Sequence, residues 1–223
     1  MPSHANTLVR WSAAELPNGG LNAAGGWDSV FGGITANKIG AGNYVYSHNG
    51  NNGKPCLLTP VLTGAGAYFE VPAITLPNPT MASIVVLKTN TTDTQVPFEI
   101  ISPDQNRAIF IEYGSFEGYY VGLTSSVMKY IPQFNTPAVI ATGYDRNIDF
   151  RVNGVQGPYR VGNPDTVINS VLGTARLTIG ARNGGQFFHE GHLCAVHIFH
   201  TKPSAAEMKQ WASYYYNLYN ITT

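Results

Sequence analysis

The sequence predicts an all-β protein in which two antiparallel sheets form a sandwich and a single helix closes the chain. Glycine and proline are frequent, at 24 and 14 of 223 residues, whereas charged residues make up only 12%. Turn signals recur roughly every 8 to 12 residues between short β-prone runs, a spacing typical of sandwiches and barrels. A helical period occurs only near the end of the chain, so we expect sheets to form the core.

The predicted strands are short and follow one another along the chain. The first covers residues 7–11, where apolar and polar side chains alternate. The segment 18–54 is rich in Gly and Asn but holds regularly placed aromatic residues, so we interpret it as ordered loops interrupted by short strands. Further strands are predicted at residues 68–72, 82–88, 97–101, 108–113, 119–123, 138–142, 149–152, 176–180 and 193–199.

Two local sequence signals predict a hairpin and a helix in the last third of the chain. Asn153-Gly154 follows a strand, and both residue types tolerate the positive φ of a tight hairpin turn. Ser204 and Glu207 have the spacing of a capping box, which predicts a helix from about residue 204 to 219. One apolar face is expected on that helix, formed by Met208, Trp211, Tyr215 and Leu218. With no internal repeat and no change in composition, we expect one domain over residues 1–223.

The charge and the hydropathy of the sequence argue against two kinds of partner, nucleic acid and the membrane interior. Thirteen basic and thirteen acidic residues cancel without any run of like charge, so the basic face needed for a nucleic-acid partner is not expected. The chain contains no apolar stretch long enough to insert into a membrane. Its first residues have neither the basic nor the apolar segment of a secretory signal. Cys56 and Cys194 do not form a disulfide framework, and whether they pair stays open.

The order of several motifs resembles that of a known family. The motifs are residues 8–14, 27–28, 150–154, 177–182, 188–199, 204–207 and 211–219. Together they resemble laminin G-like domains of the concanavalin A-like lectin–glucanase family over residues 8–219. The resemblance implies a jelly roll with two antiparallel sheets that binds glycans or protein surfaces, sometimes with calcium. Fold alone does not fix function, so each chemical group needs its own argument.

Catalytic carboxylates are the first group to consider, because related sandwiches include glycoside hydrolases. Such enzymes hold two carboxyl groups at a defined separation across the scissile bond. The run Glu-x-Asp-x-x-Glu is absent, and strand alternation is expected to send Glu112 and Glu117 to opposite faces. Asp145 and Asp149 could share a face but have arginines nearby. We therefore predict that the chain is not an enzyme, with a carbohydrate-active hydrolase or lyase as the alternative.

Metal ligands are the second group. His189, His192, His197 and His200 are close in sequence, but strand alternation and a turn are expected to separate them, so we interpret them as hydrogen-bonded or solvated side chains. Calcium prefers the carboxylate and amide oxygens that loops supply. The candidate calcium ligands are Asp28, Asn43 and Asp145, each of which also fits a solvated loop. No other cofactor is predicted.

Aromatic side chains beside glycine turns are the most informative group. Exposed rings can stack on the apolar faces of sugars, whereas buried rings cover a core or an oligomer interface. The candidate ligand-binding residues are Tyr44, Tyr46, Phe116, Tyr119, Tyr120, Phe187 and Phe188.

These features lead to a functional hypothesis. We predict a binding module on the surface of a bacteriophage virion, acting in capsid decoration, as a head fibre or in tail receptor binding, with host glycans and capsid or tail proteins as partners. We expect it to form homo-oligomers and to act on the virion or outside cells without a secretory signal. A non-viral lectin module is the other alternative.

Overall fold

The computed structural model describes most of the chain. The described residues are 1–16, 20–59, 66–76, 81–102, 108–114, 118–123, 126–129, 135–144, 148–156, 173–182 and 185–222. They form two antiparallel sheets and one helix, α1 (Ala205–Leu218). The predicted fold class is thus confirmed.

The first sheet lies next to the helix and is called the helix-side sheet. Its strands are β1 (Thr7–Ser12), β4 (Val45–Asn51), β5 (Lys54–Leu58), β7 (Met81–Thr89), β12 (Ala138–Tyr144), β13 (Ile148–Val152), β14 (Val155–Gln156) and β16 (Gly191–Phe199). Their order is β14-β13-β12-β7-β16-β5-β4, and β1 also pairs with β16. The long strand β16 is central because it joins β7 on one side to both β5 and β1 on the other.

The second sheet is called the opposite sheet. Its strands are β2 (Trp27–Asp28), β3 (Thr35–Gly40), β6 (Ala67–Thr75), β8 (Gln95–Ile101), β9 (Ala108–Gly114), β10 (Gly118–Leu123), β11 (Ser126–Lys129) and β15 (Thr174–Ile179). Their order is β11-β10-β9-β8-β15-β6-β3-β2. Chain-distant strands β6, β15 and β8 are therefore neighbours in the middle of this sheet.

The main core fills the space between the sheets. Alternating residues of each strand point inward, such as Val85 and Leu87 from the helix-side sheet and Phe98 and Ile100 from the opposite sheet. All four are fully buried. Each such side chain contributes about 1.5–3 kcal/mol through its removal from water, which makes this core the main source of stability.

A second core lies between the helix-side sheet and α1. Trp211 and Tyr215 are buried on the helix face that contacts the outward-facing side chains of β7 and β16. The Ser204 hydroxyl accepts from the Glu207 backbone N–H, and the Glu207 carboxylate accepts from the Ser204 N–H, which completes the predicted capping box. The helix therefore covers one outer face of the sandwich.

The predicted Asn153-Gly154 hairpin is present, and Cys56 and Cys194 are both free thiols. Asn153 and Gly154 have φ values of 47° and 78° and connect β13 to β14, as the turn type requires. Cys56 and Cys194 are buried and reduced. They lie opposite each other, because Leu57 pairs with Leu193 in the β5–β16 register. Within the described part of the chain, no helix is both long and apolar enough to cross a membrane.

Candidate functional site

The outer face of the opposite sheet is lined by polar and aromatic side chains. In its central strands, alternation sends Glu70 of β6, Thr178 of β15, Glu99 of β8 and Phe110 of β9 away from the core. Strand register aligns these four residues in one row, since Glu70 pairs with Thr178, Thr178 with Glu99, and Glu99 with Phe110. None of the four residues belongs to the core between the sheets, so we consider this row as a candidate site.

The densest part of this face is a group that we call the Arg182 cluster. Its members are Glu99, Phe110, Glu112, Arg182 and Phe187. The Arg182 Nε lies 3.5 Å from the Glu99 Oε1. The Arg182 guanidinium carbon lies 5.9 Å from the Phe110 ring centre and 6.0 Å from that of Phe187. These distances are within the range of cation–π attraction, so the rings hold the guanidinium in place.

Exposure differs sharply among the members. The Glu99 side chain is only 1% exposed, whereas the Arg182 side chain is 45% exposed. Phe187 is also 45% exposed, although it is a large apolar residue. A buried carboxylate is costly without a partner, and Arg182 supplies one while keeping part of its guanidinium at the surface.

A tight turn positions both Arg182 and Phe187. The Arg182 backbone N–H donates to the Gln186 carbonyl at 2.7 Å, and the Gly185 N–H donates to the Arg182 carbonyl at 3.0 Å. Phe187 has φ 48°, which is unusual for a bulky residue. Its carbonyl accepts from the Val96 N–H at 2.8 Å, which ties the strained residue to β8. Strain held in this way at an exposed ring points to a functional position.

Glu112 adds a second carboxylate to the cluster. It lies two residues beyond Phe110 on the same face of β9 and is partly buried. Burial raises the pKa of Glu112, and the nearby Arg182 charge opposes that rise. The cluster therefore combines a donor group, an acceptor group and two aromatic rings.

A smaller group of rings lies toward β6. The Phe188 ring lies 6.4 Å from that of Tyr68 and packs over Gly66, where an added Cβ would come within 2.3 Å of the ring. Burial raises the pKa of the Tyr68 phenol, and the neighbouring Glu70 carboxylate acts in the same direction. Glu70 also lies 3.9 Å from Arg176. Phe188 is therefore part of the packing beneath this face.

The other predicted aromatic residues lie elsewhere. Tyr44 is 7% exposed, packs on Phe69 at a ring distance of 4.4 Å and donates to the Ala67 carbonyl at 3.0 Å, so it offers no ring face to solvent. Tyr46 lies on the helix-side sheet and donates to the Ala13 carbonyl at 3.1 Å. The structure thus supports the core interpretation for Tyr44.

The side chains of three predicted aromatic residues are outside the described set. Tyr119 and Tyr120 belong to β10, which pairs with β9, but their side chains are outside the described set. Phe116 lies entirely outside the described residues, as does Glu117.

The predicted calcium ligands are engaged in other contacts. The Asp28 carboxylate accepts from the Thr35 hydroxyl at 2.6 Å and from the Asn22 amide at 3.0 Å. The Asn43 amide oxygen accepts from the Lys38 ammonium at 3.1 Å, and a cation there opposes a second cation. Asp145 is outside the described residues. Among the residues that are described, no group of three His, Cys, Asp or Glu side chains could hold a metal ion, and calcium binding stays a prediction.

His189 and His197, two of the histidines near the end of the chain, lie in separate surroundings. His197 is fully buried beneath α1 and contacts the Thr7 hydroxyl at 2.8 Å and the Tyr215 hydroxyl at 3.2 Å. His189 is buried next to β8, where its Nδ1 lies 2.6 Å from the Gln95 side-chain oxygen. Desolvation lowers the pKa of His189 to about 3. Both side chains are structural.

Of the Arg182 cluster, the sequence predicted Phe187 as a ligand-binding residue and raised Glu112 as a carboxylate, but it did not single out Glu99, Phe110 or Arg182. The missed signal is a charged residue between apolar ones, because Glu99 lies between Phe98 and Ile100 in a predicted strand. Period-two alternation places such a residue opposite the core side chains.

Comparison with solved structures identifies chains with the same fold. A mutant of Trypanosoma rangeli sialidase displaying trans-sialidase activity matches with a TM-score of 0.69 and 13% identity, over 99% of this chain and 34% of that one. Trypanosoma rangeli sialidase in complex with the inhibitor DANA matches with a TM-score of 0.66 and 10% identity, over 92% of this chain and 32% of that one. This chain thus spans about a third of the length of the sialidases it matches.

A third similar structure is domain 4 of a GH43 extracellular arabinanase from Geobacillus stearothermophilus, in complex with arabinotriose. It matches with a TM-score of 0.63 and 14% identity, over 93% of this chain and 98% of that domain. No protein-family model and no curated protein sequence matches the chain. At these identities the likeness establishes the fold, which agrees with the lectin-like jelly roll that the motifs implied.

These matches correct one prediction. The expectation that the chain is not an enzyme is wrong, because the solved chains that share its fold belong to enzymes, sialidases and an arabinanase. The expectation depended on the lack of a carboxylate motif along a single strand.

Proposed function

We propose that this chain binds glycans through the outer face of the opposite sheet, with the Arg182 cluster as the contact site. The observation that carries the proposal is the Phe187 ring, 45% exposed and held at φ 48° beside the equally exposed Arg182 side chain. A ring kept at the surface at the expense of backbone strain is better explained by a ligand than by packing.

The chemistry of the cluster suits a sugar. One apolar face of a pyranose or furanose can lie on the Phe187 ring, while its hydroxyl groups meet polar partners at the edge. Arg182 can only donate hydrogen bonds, and ionised Glu112 can only accept them, so together they match hydroxyl groups that do both. A few converging polar groups beside aromatic rings are the usual composition of a small-ligand site.

The comparisons support this proposal at the level of fold. The similar structures come from carbohydrate-active proteins, and the arabinanase domain is described in complex with arabinotriose. That ligand belongs to that domain. Its relevance here is that a sandwich of this fold presents a surface on which an oligosaccharide is held.

Glycan array screening followed by isothermal titration calorimetry tests the proposal. The decisive variant is Phe187→Gly, because glycine adopts positive φ without strain and the substitution therefore removes only the ring. We expect about a tenfold loss of affinity for the glycan found on the array. The matched control is Phe31→Ala, which removes another exposed ring, one that stacks on His4 at 4.3 Å. Equal loss in both variants, or no glycan bound by the parent chain, would refute the proposal.

A more specific form of this proposal places the chain on a virion surface, where it would bind host glycans. A neutral, glycine-rich sandwich with a glycan site would suit a capsid decoration, head-fibre or tail receptor-binding protein. Mass spectrometry of purified virus particles, together with gel filtration for the predicted homo-oligomer, tests it. A chain found with polysaccharide-degrading proteins and never with particles would refute it.

A further inference from the structure

We propose that Asn49 is a site of spontaneous covalent modification, at which water converts the side-chain amide into a carboxylate. The inference concerns the hairpin that joins β4 to β5 and does not depend on glycan binding. Five Asn-Gly pairs occur in the sequence, and three of them, at Asn49, Asn52 and Asn153, lie within the described residues. The surroundings of these three asparagines differ, and the difference identifies the reactive one.

The reaction needs only the chain and water. The backbone nitrogen of the following residue attacks the Asn side-chain carbonyl carbon, and ammonia leaves with the proton of that nitrogen as a cyclic imide closes. Water then adds to one of the two imide carbonyl carbons and breaks its bond to the ring nitrogen, which yields aspartate or isoaspartate. Glycine hinders this attack least, because it has no side chain and its backbone rotates freely. Reactivity therefore depends on whether the Asn side chain and the following nitrogen are free to approach each other.

Asn153 is held away from this geometry by its own hydrogen bonds. Its Oδ1 accepts from the Val139 backbone N–H at 2.8 Å, and its Nδ2 donates to the Pro137 carbonyl at 3.3 Å. The residue is only 8% exposed and occupies a tight turn with φ 47°. Both bonds must open before the side chain can turn, and two hydrogen bonds of ordinary net strength lower the reactive population about tenfold or more.

Asn52 is exposed, but the turn and the segment after α1 restrain it. It has φ 49° and Gly53 has φ 73°, as in the two-residue turns that connect hairpin strands. Its Nδ2 donates to the Asn220 carbonyl at 3.0 Å, and the Asn220 Nδ2 donates to the Asn52 carbonyl at 3.2 Å. We therefore expect Asn52 to react more slowly than an exposed asparagine without such contacts.

Asn49 has neither kind of restraint. Its side chain is exposed and has no hydrogen-bond partner among the described residues. The β4–β5 register shifts between Ser47 and Asn51, so residues 48–50 face Pro55 alone. Proline has no N–H to donate, so the β5 backbone offers this bulge no donor that would hold it in a regular ladder. The Asn49 amide and the backbone nitrogen that follows it are thus the least restrained pair of the three.

The product changes the charge of an exposed edge strand. β4 is the last strand of the helix-side sheet, and the chain has a formal net charge of zero. A carboxylate at position 49 lowers the net charge by one unit and places the new charge where the strand of another molecule could pair, which opposes such pairing. The Arg182 cluster lies on the other sheet, so the modification should leave glycan affinity unchanged.

Peptide mapping by mass spectrometry in ¹⁸O-labelled water tests the assignment. The folded chain is incubated at mildly alkaline pH, and labelled aspartate and isoaspartate are measured over time at the three positions. We expect Asn49 to react at least about tenfold faster than Asn153, and faster than Asn52. In urea the structural restraints disappear, so the three rates should agree within about threefold. Equal rates at Asn49 and Asn153 in the folded chain would overturn the inference, as would an Asn49 that reacts only in urea.

Asn49→Gln is the matched variant. Glutamine keeps the amide, but its longer side chain would have to close a six-membered ring, which forms much more slowly. Isoelectric focusing of the parent chain should show an acidic form whose digest carries the label at position 49, and the variant should lack that form. Label at position 49 of the variant at the parent's rate would contradict the imide route. Gly50→Ala is unsuitable, because an added Cβ there would overlap the Cys56 sulfur.

Discussion

The ion pair between Arg182 and Glu99 makes the most specific stability prediction. Replacing Arg182 by Gln removes the charge next to a carboxylate that is 1% exposed. At the observed 3.5 Å separation and an effective dielectric constant of about 20, the attraction between the two charges is about 5 kcal/mol. Solvent reaches Arg182, and screening at exposed pairs lowers such values to below about 1 kcal/mol, whereas fully buried pairs lose about 3–5 kcal/mol when broken. We therefore expect a coupling free energy of about 2 kcal/mol.

A double-mutant cycle measures that coupling. The free energy of unfolding is obtained from urea titrations of the parent chain, Arg182→Gln, Glu99→Gln and the double variant. The double variant should be more stable than the two single losses together imply, by about 2 kcal/mol, because each single variant already loses the attraction between Arg182 and Glu99. Arg182→Gln alone should melt about 4–8 °C lower, given the size of the chain.

The Glu70–Arg176 pair on the same face is the control for this cycle. Its charged atoms are 3.9 Å apart, and the Glu70 side chain is 19% exposed, compared with 1% for Glu99. Greater access to water should hold its coupling below about 1 kcal/mol. A coupling for Arg182–Glu99 no larger than that of the control pair would refute the view that Arg182 is held in place by a buried charge.

Three further predictions concern other parts of the molecule. Ser204→Ala removes one half of the capping box and should lower the free energy of unfolding by about 1 kcal/mol in urea titrations, while Ser3→Ala should not. Because the pKa of His189 is lowered to about 3, the folded protein does not take up the proton that the unfolded chain accepts below about pH 6.5. Stability should therefore fall by up to about 1.4 kcal/mol per pH unit as the pH decreases from 6.5 toward 3, and less steeply in His189→Gln. The thiol hydrogen bond from Cys194 and the nearby His192 lower the pKa of Cys56 to about 6. Because both thiols are fully buried, oxidised glutathione should form a disulfide between them only when the chain opens. The product, seen as a loss of two hydrogen atoms by mass spectrometry that Cys56→Ser abolishes, should therefore form faster in urea than in buffer.

Local signals in the sequence were sufficient for much of the fold. The Asn153-Gly154 turn and the Ser204–Glu207 capping box depend on residues close in sequence, and the structure has both at the predicted positions. The predicted helix, 204–219, differs from α1 by one residue at each end. In β8, strand alternation agrees with the structure, where Phe98 and Ile100 belong to the core and Glu99 does not.

Contacts between chain-distant strands explain what the sequence did not reveal. Arg182 meets Glu99 because β15 pairs with β8, and no local pattern specifies that two such distant segments are neighbours. Tyr44 illustrates the same limit. Its position beside glycines suggested exposure, yet it is buried because Gly180 leaves room for it: a Cβ there would lie 2.2 Å from the Tyr44 hydroxyl oxygen. That complementarity exists only once the strands are assembled.

The two outer faces of the sandwich differ in what covers them, and this difference favours the opposite sheet for the proposed site. A sandwich exposes two outer faces, and α1 covers one of them with Trp211 and Tyr215, which turns the outer side chains of the helix-side sheet into a second core. On the opposite sheet the corresponding positions are Glu70, Thr178 and Glu99. A buried carboxylate such as Glu99 adds nothing to core packing and requires a cation to be tolerated. Arg182 lies 3.5 Å from Glu99 on that face, and its side chain is 45% exposed to a ligand of the proposed site.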